Sequence, residues 1–276
     1  MKTPPAIPIA IAKDHSTNLV GIATGLLAST AFNDYPLPLE INGVREMNRP
    51  FFDKLAKAPS SAEAGEMFEH YMELLFGLDG GALVGDEGAG KRRFRSSYLR
   101  LLQGWGFDSN GPEGAVLKGW VESRFGLLPT FHKEALRRFP APAWISYVEE
   151  KMSSRFHNNS ISLQLDLLYG FCQWMLARWL MPGKKHVTLY RGVNGFEEHQ
   201  IVERIDKRTA VMRQNNLVSF TSERLRADEF GDTILEAQVP LVKILFFNEL
   251  LAKHPLKGEG EYLVIGGDYR VKVNYW

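Results

Sequence analysis

The sequence predicts an α+β fold, in which a mainly helical region over residues 1–180 precedes a strand-rich region over residues 181–276. Two observations lead to this class. Apolar side chains recur at helical spacing before Pro182 and Gly183, whereas short segments with a period of two follow this pair. The length of 276 residues and the 45% share of hydrophobic residues suit a packed globular protein, built as two regions or as one continuous domain.

Helical spacing recurs in several segments of the first region. Ser60 or Ser61 is placed to cap a helix over residues 62–78, because a serine hydroxyl can accept a hydrogen bond from the free amides at a helix start. Further helices are predicted at 91–103, from Pro142 onward and at 160–181, the last of them long and mostly buried.

The second region carries the strand signals. The alternation is clearest over residues 269–275, where Tyr269, Val271 and Val273 face one side and charged or polar residues the other. The predicted strands are 186–193, 217–221, 233–239, 243–247, 261–265 and 269–275. Most are short, which predicts a compact sheet that follows the helices.

The net charge of +1 conceals an uneven distribution along the chain. Residues 1–90 carry 6 Lys and Arg against 12 Asp and Glu, whereas residues 91–180 carry 13 against 7. Because opposite charges steer association, we expect the basic segment 91–100 to help dock an acidic protein partner. A chain that is barely basic overall does not favour nucleic acid as a partner.

The composition disfavours several classes of protein. Cys172 is the only cysteine, so no intramolecular disulfide can form, which favours a cytoplasmic protein. No signal peptide is expected. The apolar stretch 163–180 carries Asp166 and Arg178, so no membrane span is expected either. The seven histidines lack the spacing of a zinc site, and no metal is expected.

One glycine-rich segment partly matches a phosphate-binding loop. Residues 85–91 follow the pattern G-x4-G-K, but Arg92 stands where such a loop needs a Ser or Thr hydroxyl for Mg²⁺. Asp86 and Glu87 would also repel phosphate. We therefore favour an ordinary loop and keep a phosphate-loop ATPase as an alternative.

Three short motifs stand at predicted strands in the last third of the chain. They are Tyr190-Arg191-Gly192, Ser219-Phe220-Thr221-Ser222 and Glu259-Gly260-Glu261. Each is common by itself, but in this order they resemble the R-S-E class of ADP-ribosyltransferases, whose third element is Glu-x-Glu. Over most of its length, including residues 93–138 and 189–194, the chain is similar to the dinitrogenase reductase ADP-ribosyltransferase family.

This resemblance implies a fold and a function. The strand-rich region would be an ADP-ribosyltransferase-type split β-sandwich, and the helical region would recognise protein partners and complete the cleft for NAD. The family transfers ADP-ribose from NAD to an arginine of the nitrogenase iron protein in nitrogen-fixing bacteria, which switches off nitrogen fixation. It also implies regulation by a PII signal-transduction protein.

The resemblance assigns roles to individual residues. Glu261 would touch the ribose and stabilise its developing positive charge, and Arg191 would pair with the pyrophosphate, which a guanidinium fork matches. Tyr190 and Gly192 would lie beside the bound NAD. Ser219, Thr221 and Ser222 would bond the nicotinamide side or hold Glu261 in place. Which hydroxyl fills the family's serine role is left open by the sequence.

Glu259 is expected to serve the arginine acceptor. Two residues apart on a strand, Glu259 and Glu261 would share one face at a spacing of ~6–7 Å. In the family, a glutamate at the first position goes with arginine acceptors, and such a carboxylate can orient the guanidinium and accept its proton. The alternative is a non-catalytic partner-binding protein on the same fold.

Overall fold

The computed structural model describes residues 18–78, 97–153, 159–251 and 260–275. Its helices are α1 Thr24–Leu27, α2 Thr30–Asp34, α3 Val44–Met47, α4 Arg49–Leu55, α5 Ser61–Phe76, α6 Tyr98–Phe107, α7 Pro112–Phe125, α8 Pro142–Lys151, α9 Asn159–Met175 and α10 Arg224–Asp228. Its strands are β1 Phe131–His132, β2 Glu134–Ala135, β3 His186–Val193, β4 Ile201–Arg204, β5 Thr209–Thr221, β6 Thr233–Pro240, β7 Ile244–Phe247 and β8 Glu261–Tyr275. The α+β class is confirmed.

The helix boundaries follow local capping chemistry. The Ser60 hydroxyl accepts a hydrogen bond from the Glu63 amide at 3.2 Å, which confirms Ser60 as the cap of α5. This helix ends at Gly77, whose left-handed conformation (φ 60°) suits a residue without a Cβ. The predicted long helix is confirmed as α9, which a π-helical turn extends over Leu176–Leu180. Of the helix predicted at 91–103, the described part begins at Ser97.

A six-stranded sheet follows the helices. Its order is β4-β5-β3-β6-β8-β7, with a further pairing between β5 and β8, and every pairing is antiparallel. The two longest strands, β5 and β8, pair along most of their length. The first part of β8 also pairs with β7 and its second part with β6, so the two ends of β8 have different neighbours.

The segments 217–221, 261–265 and 269–275 are confirmed as strand, but the bounds predicted for their strands are wrong. The segments 261–265 and 269–275 form one strand, β8, because Gly266 lies opposite an irregularity of β5 between Gln214 and Leu217 and does not break β8. A Cβ at Gly266 would lie 1.6 Å from the Asn215 carbonyl oxygen, and Gly267 has φ +113°. The segment 217–221 is only the end of β5, which begins at Thr209.

The hydrophobic core is continuous between the helices and the sheet. Phe171 of α9 stacks on Phe68 of α5 with ring centroids 4.2 Å apart. The Tyr169 hydroxyl lies 3.0 Å from the Leu39 carbonyl oxygen and 2.7 Å from that of Val242, so α9 links the first helices to the sheet. Within the described ranges, no helix has the length and apolar character needed to cross a bilayer.

Candidate active site

The register of three strands brings the sequence motifs together. Tyr190 of β3 lies opposite Thr221 of β5, and Thr221 lies opposite Glu261 at the start of β8. Because side chains alternate along a strand, Ser219 shares a face with Thr221. The arginine motif, the hydroxyl-rich strand end and the second glutamate therefore meet at one place in the sheet.

Arg191, Ser219 and Glu261 form a connected hydrogen-bonded group. The Arg191 Nη1 donates to the backbone carbonyl of Ser219 at 2.7 Å, and the Ser219 Oγ donates to Glu261 Oε1 at 2.5 Å. Burial lowers the pKa of Arg191, and the charge of Glu261 opposes that shift. Since an arginine side chain ordinarily titrates far above neutral pH, this group pairs a fixed cation with a carboxylate.

Among the three candidate hydroxyls, the structure places Ser219 on Glu261. The Thr221 Oγ1 accepts a hydrogen bond from the Glu223 amide at 3.1 Å, and the Ser222 amide donates to the Gly260 carbonyl at 3.2 Å. Thr221 and Ser222 thus build the turn beside Gly260, through which the chain enters β8. Glu259 lies outside the described residues.

The residues next to Arg191 have a packing role. A Cβ at Gly192 would lie 1.9 Å from the Ala227 carbonyl oxygen, so this position admits only glycine where α10 packs on β3. Tyr190 is half-buried and lies in β3 between Thr221 and Glu236. Tyr190 and Gly192 both lie next to Arg191 in β3.

Trp105 of the helical region also contacts the group of Arg191, Ser219 and Glu261, and no sequence motif predicted this contact. Its Nε1 donates to the Ser219 Oγ at 2.8 Å from a position 114 residues earlier in the chain. The side chain is only 4% exposed. The helix predicted at 91–103 ends before Trp105. Its apolar spacing, continued by one turn from Leu101, would place Trp105 on the buried face, but that spacing is equally typical of an ordinary core tryptophan.

A cleft of about 500 Å³ lies beside this group. The sheet contributes Arg191 and Ser219 to its lining, and the helical region contributes Trp105, Lys118 and Arg137. This volume is within the range of small-molecule sites in proteins. The cleft therefore lies between the two sequence regions, with cationic side chains from both.

Lys118 is buried beside the cleft, at 1% exposure. Its Nζ donates to Asn110 Oδ1 at 3.0 Å and to the Phe131 carbonyl at 3.1 Å, and it lies 5.9 Å from the Trp105 ring centroid. Burial lowers the pKa of Lys118 to about 8, against opposing effects of Asp108 and Glu150. The Lys118 ammonium is thus held by protein oxygens near the Trp105 ring and not by solvent.

Two sequence interpretations fall largely outside the described residues. The partial phosphate-loop pattern at 85–91 lies outside them, as does the basic run 91–95. In the part of segment 91–100 that is described, Arg100 approaches Glu113 with a separation of 4.0 Å. Across the described ranges, no cluster of three or more His, Cys, Asp or Glu side chains could hold a metal ion.

Comparison with known proteins identifies the family. The family model for dinitrogenase reductase ADP-ribosyltransferase matches residues 17–273. The chain is 63% identical over 263 residues to a Rhodospirillum rubrum protein named NAD(+)--dinitrogen-reductase ADP-D-ribosyltransferase, with 95% of each chain covered. No solved structure matches the chain. Since the matched range takes in all three site motifs, the chain belongs to the dinitrogenase reductase ADP-ribosyltransferase family.

Proposed function

We propose that this protein transfers ADP-ribose from NAD to an arginine side chain of the nitrogenase iron protein, dinitrogenase reductase, and thereby switches off nitrogen fixation. The observation that carries the proposal is the hydrogen-bonded group of Arg191, Ser219 and Glu261 at the edge of a cleft. The name of the Rhodospirillum relative supports both the donor and the protein substrate.

Glu261 is the proposed catalytic carboxylate. Transfer breaks the bond between the ribose and nicotinamide, whose electron pair leaves with the nicotinamide, so positive charge develops on the sugar as in glycoside chemistry. The nicotinamide is already cationic in NAD and needs no acid to leave. A carboxylate held in place by Ser219 stabilises that charge without reorganising, and such preorganised electrostatics is usually the largest catalytic contribution.

Arg191 is proposed to act on the donor and on the fold of the site. Its guanidinium holds the Ser219 carbonyl and lines the cleft, where further N–H groups can pair with the pyrophosphate. Lys118 and Arg137 line the same cleft and add to its positive potential. Tyr190, Gly192, Thr221 and Ser222 are proposed to complete the NAD site from β3 and the turn at Gly260.

Glu259 is proposed to serve the acceptor. The arginine nitrogen supplies the electron pair for the new bond to the ribose, and its proton passes to the Glu259 carboxylate as the bond forms. A carboxylate also orients the guanidinium, which is a weak nucleophile because it is protonated at neutral pH.

We extend the proposal to the arrangement of the strands, the roles of the two regions and the partners. The two ends of β8 pair with different strands, β7 and β6, which supports a split β-sandwich. We assign residues 181–276 to the catalytic core and residues 1–180 to partner recognition and one wall of the cleft, as one domain or two. A PII signal-transduction protein is the proposed regulator, and the cytoplasm is the proposed location.

The function is tested by incubating the protein with labelled NAD, first with agmatine and then with purified nitrogenase iron protein. The proposal expects label on both acceptors without ATP. Transfer that requires ATP would favour the phosphate-loop alternative. If neither acceptor is labelled while the iron protein still binds, the chain is a non-catalytic binding protein and the proposal is wrong.

A further inference from the structure

The tryptophan that reaches the site from the helical region fixes the direction of a hydrogen-bond chain. An indole N–H can only donate, so Trp105 must donate to the Ser219 Oγ across their 2.8 Å separation. A serine hydroxyl has a single proton, and an ionised carboxylate can only accept. The proton of Ser219 therefore points to Glu261 Oε1.

The hydrogen bond from Trp105 also restricts rotation of the Ser219 hydroxyl. With one lone pair of Oγ occupied by Trp105 and the carbonyl of Ser219 held by Arg191, both ends of this residue are restrained. Without the indole N–H, the hydroxyl is free to rotate toward other acceptors, and the carboxylate loses a fixed donor. Loss of preorganisation of this kind lowers the rate more than it lowers binding.

From this geometry, and resting on the proposed function, we propose that Trp105 is a positioning residue for ADP-ribosyl transfer, which acts on Glu261 through Ser219. Its burial and its contact with the Lys118 ammonium keep the indole in one orientation. A helix of the first region thus contributes to the catalytic group that the strands carry.

The chain offers a matched control for this role. Trp120 of α7 is also buried, at 3% exposure, and its Nε1 also donates to an oxygen, Asp166 Oδ1, at 2.7 Å. That bond lies in the helical layer and outside the cleft lining. Trp105→Phe and Trp120→Phe therefore each remove one buried indole hydrogen bond, the first to a hydroxyl inside the proposed catalytic group and the second to a carboxylate outside it.

The experiment measures kcat and KM for NAD in agmatine transfer, together with the free energy of unfolding. We expect Trp105→Phe to lower kcat about 10-fold with KM for NAD within about twofold. Trp120→Phe should destabilise the fold comparably but keep kcat within about twofold. In a Ser219→Ala background, Trp105→Phe should cause no further loss of kcat, because the residue through which it acts is gone.

The outcomes separate the two proposals. If the wild-type protein transfers ADP-ribose but Trp105→Phe behaves like Trp120→Phe, or loses the same factor in the Ser219→Ala background, only the positioning role is wrong. If the wild type transfers nothing, both proposals fall. Should Trp105→Phe not fold, benzothienylalanine at position 105 keeps the fused rings and replaces the N–H by sulfur, and the same losses are expected.

Discussion

Two tryptophans in this protein donate to oxygens in contrasting surroundings. In the helical layer, the Asp166 carboxylate accepts from Trp120 at 2.7 Å and from the Nε and Nη2 of Arg124 at 2.7 and 2.9 Å, and it is 6% exposed. At the cleft, Trp105 donates to a hydroxyl, which in turn donates to a half-buried carboxylate, Glu261.

The groups that hold the two carboxylates differ, and we propose a structural role for Asp166 and a catalytic role for Glu261. Asp166 is paired directly with a bidentate arginine, which neutralises its charge and fixes two helices to each other. Glu261 accepts a hydrogen bond from the Ser219 hydroxyl, and Arg191, whose charge acts on Glu261, donates to the backbone carbonyl of Ser219. The Glu261 carboxylate is thus oriented by a hydroxyl, and an oriented carboxylate suits stabilisation of a cationic transition state.

The largest expected effect away from the cleft concerns Asp166. Asp166→Asn removes the carboxylate charge that pairs with Arg124, whose side chain is only 14% exposed. Because the Arg124 charge is then buried without its partner, the free energy of unfolding should fall by about 3 kcal/mol. Asp34→Asn, which breaks an exposed pair with Arg270, should cost less than about 1 kcal/mol. Chemical denaturation measures both. If Asp166→Asn lost transfer activity without losing stability, the structural role of Asp166 would be wrong.

Lys118 of α7 lies between the two regions and should appear in the pH dependence of stability. With a pKa of about 8 in the folded protein and 10.5 when exposed, the unfolded chain binds more protons between these values, so Lys118 makes stability rise with pH in that window. Relative to Lys118→Met, the wild type should gain about 2 kcal/mol between pH 7 and pH 9.5.

The exposed Lys272, which pairs with Glu236 at the surface, provides the control. Lys272→Met should leave the same pH dependence unchanged. A constant difference between wild type and Lys118→Met over this range would mean that Lys118 stays protonated in the folded protein.

A smaller effect is expected at Glu259. Glu259→Gln should lower transfer to agmatine several-fold more than it lowers hydrolysis of NAD, because the acceptor needs this carboxylate and water does not. The ratio of the two rates, measured with one preparation, is the readout. Equal losses would assign Glu259 to the donor side with Glu261.

The sequence was a good guide where chemistry is local. The cap at Ser60, the long helix α9 and the alternation in β8 follow from spacing and side-chain type. The motifs of the R-S-E class pointed to Arg191 and Glu261, which the structure links through Ser219. It failed where polar residues interrupt a strand: residues 213–216 are consecutive polar residues, which hid the first part of β5. Gly266 and Gly267 indicated a break where the sheet needs close backbone approach.

The missing parts of the site come from distant segments. Trp105 lies just beyond the helix predicted at 91–103, and α7, which carries Lys118, was not predicted at all. Even a correct helix prediction cannot say which buried side chain meets a hydroxyl of a strand 114 residues later. The choice of Ser219 among three hydroxyls likewise depends on the register between β5 and β8. Such contacts depend on how distant segments pack and pair in the folded protein, and this packing cannot be derived from the local pattern of a single sequence.

The catalytic role of Glu261 is tested most directly by comparing Glu261→Gln with Asp166→Asn in the same transfer assay with nitrogenase iron protein. Glu261→Gln should lower the transfer rate about 10²-fold or more while the free energy of unfolding stays within about 1 kcal/mol of wild type. Asp166→Asn should do the reverse. A near-wild-type transfer rate in folded Glu261→Gln would contradict the assignment of this carboxylate to catalysis.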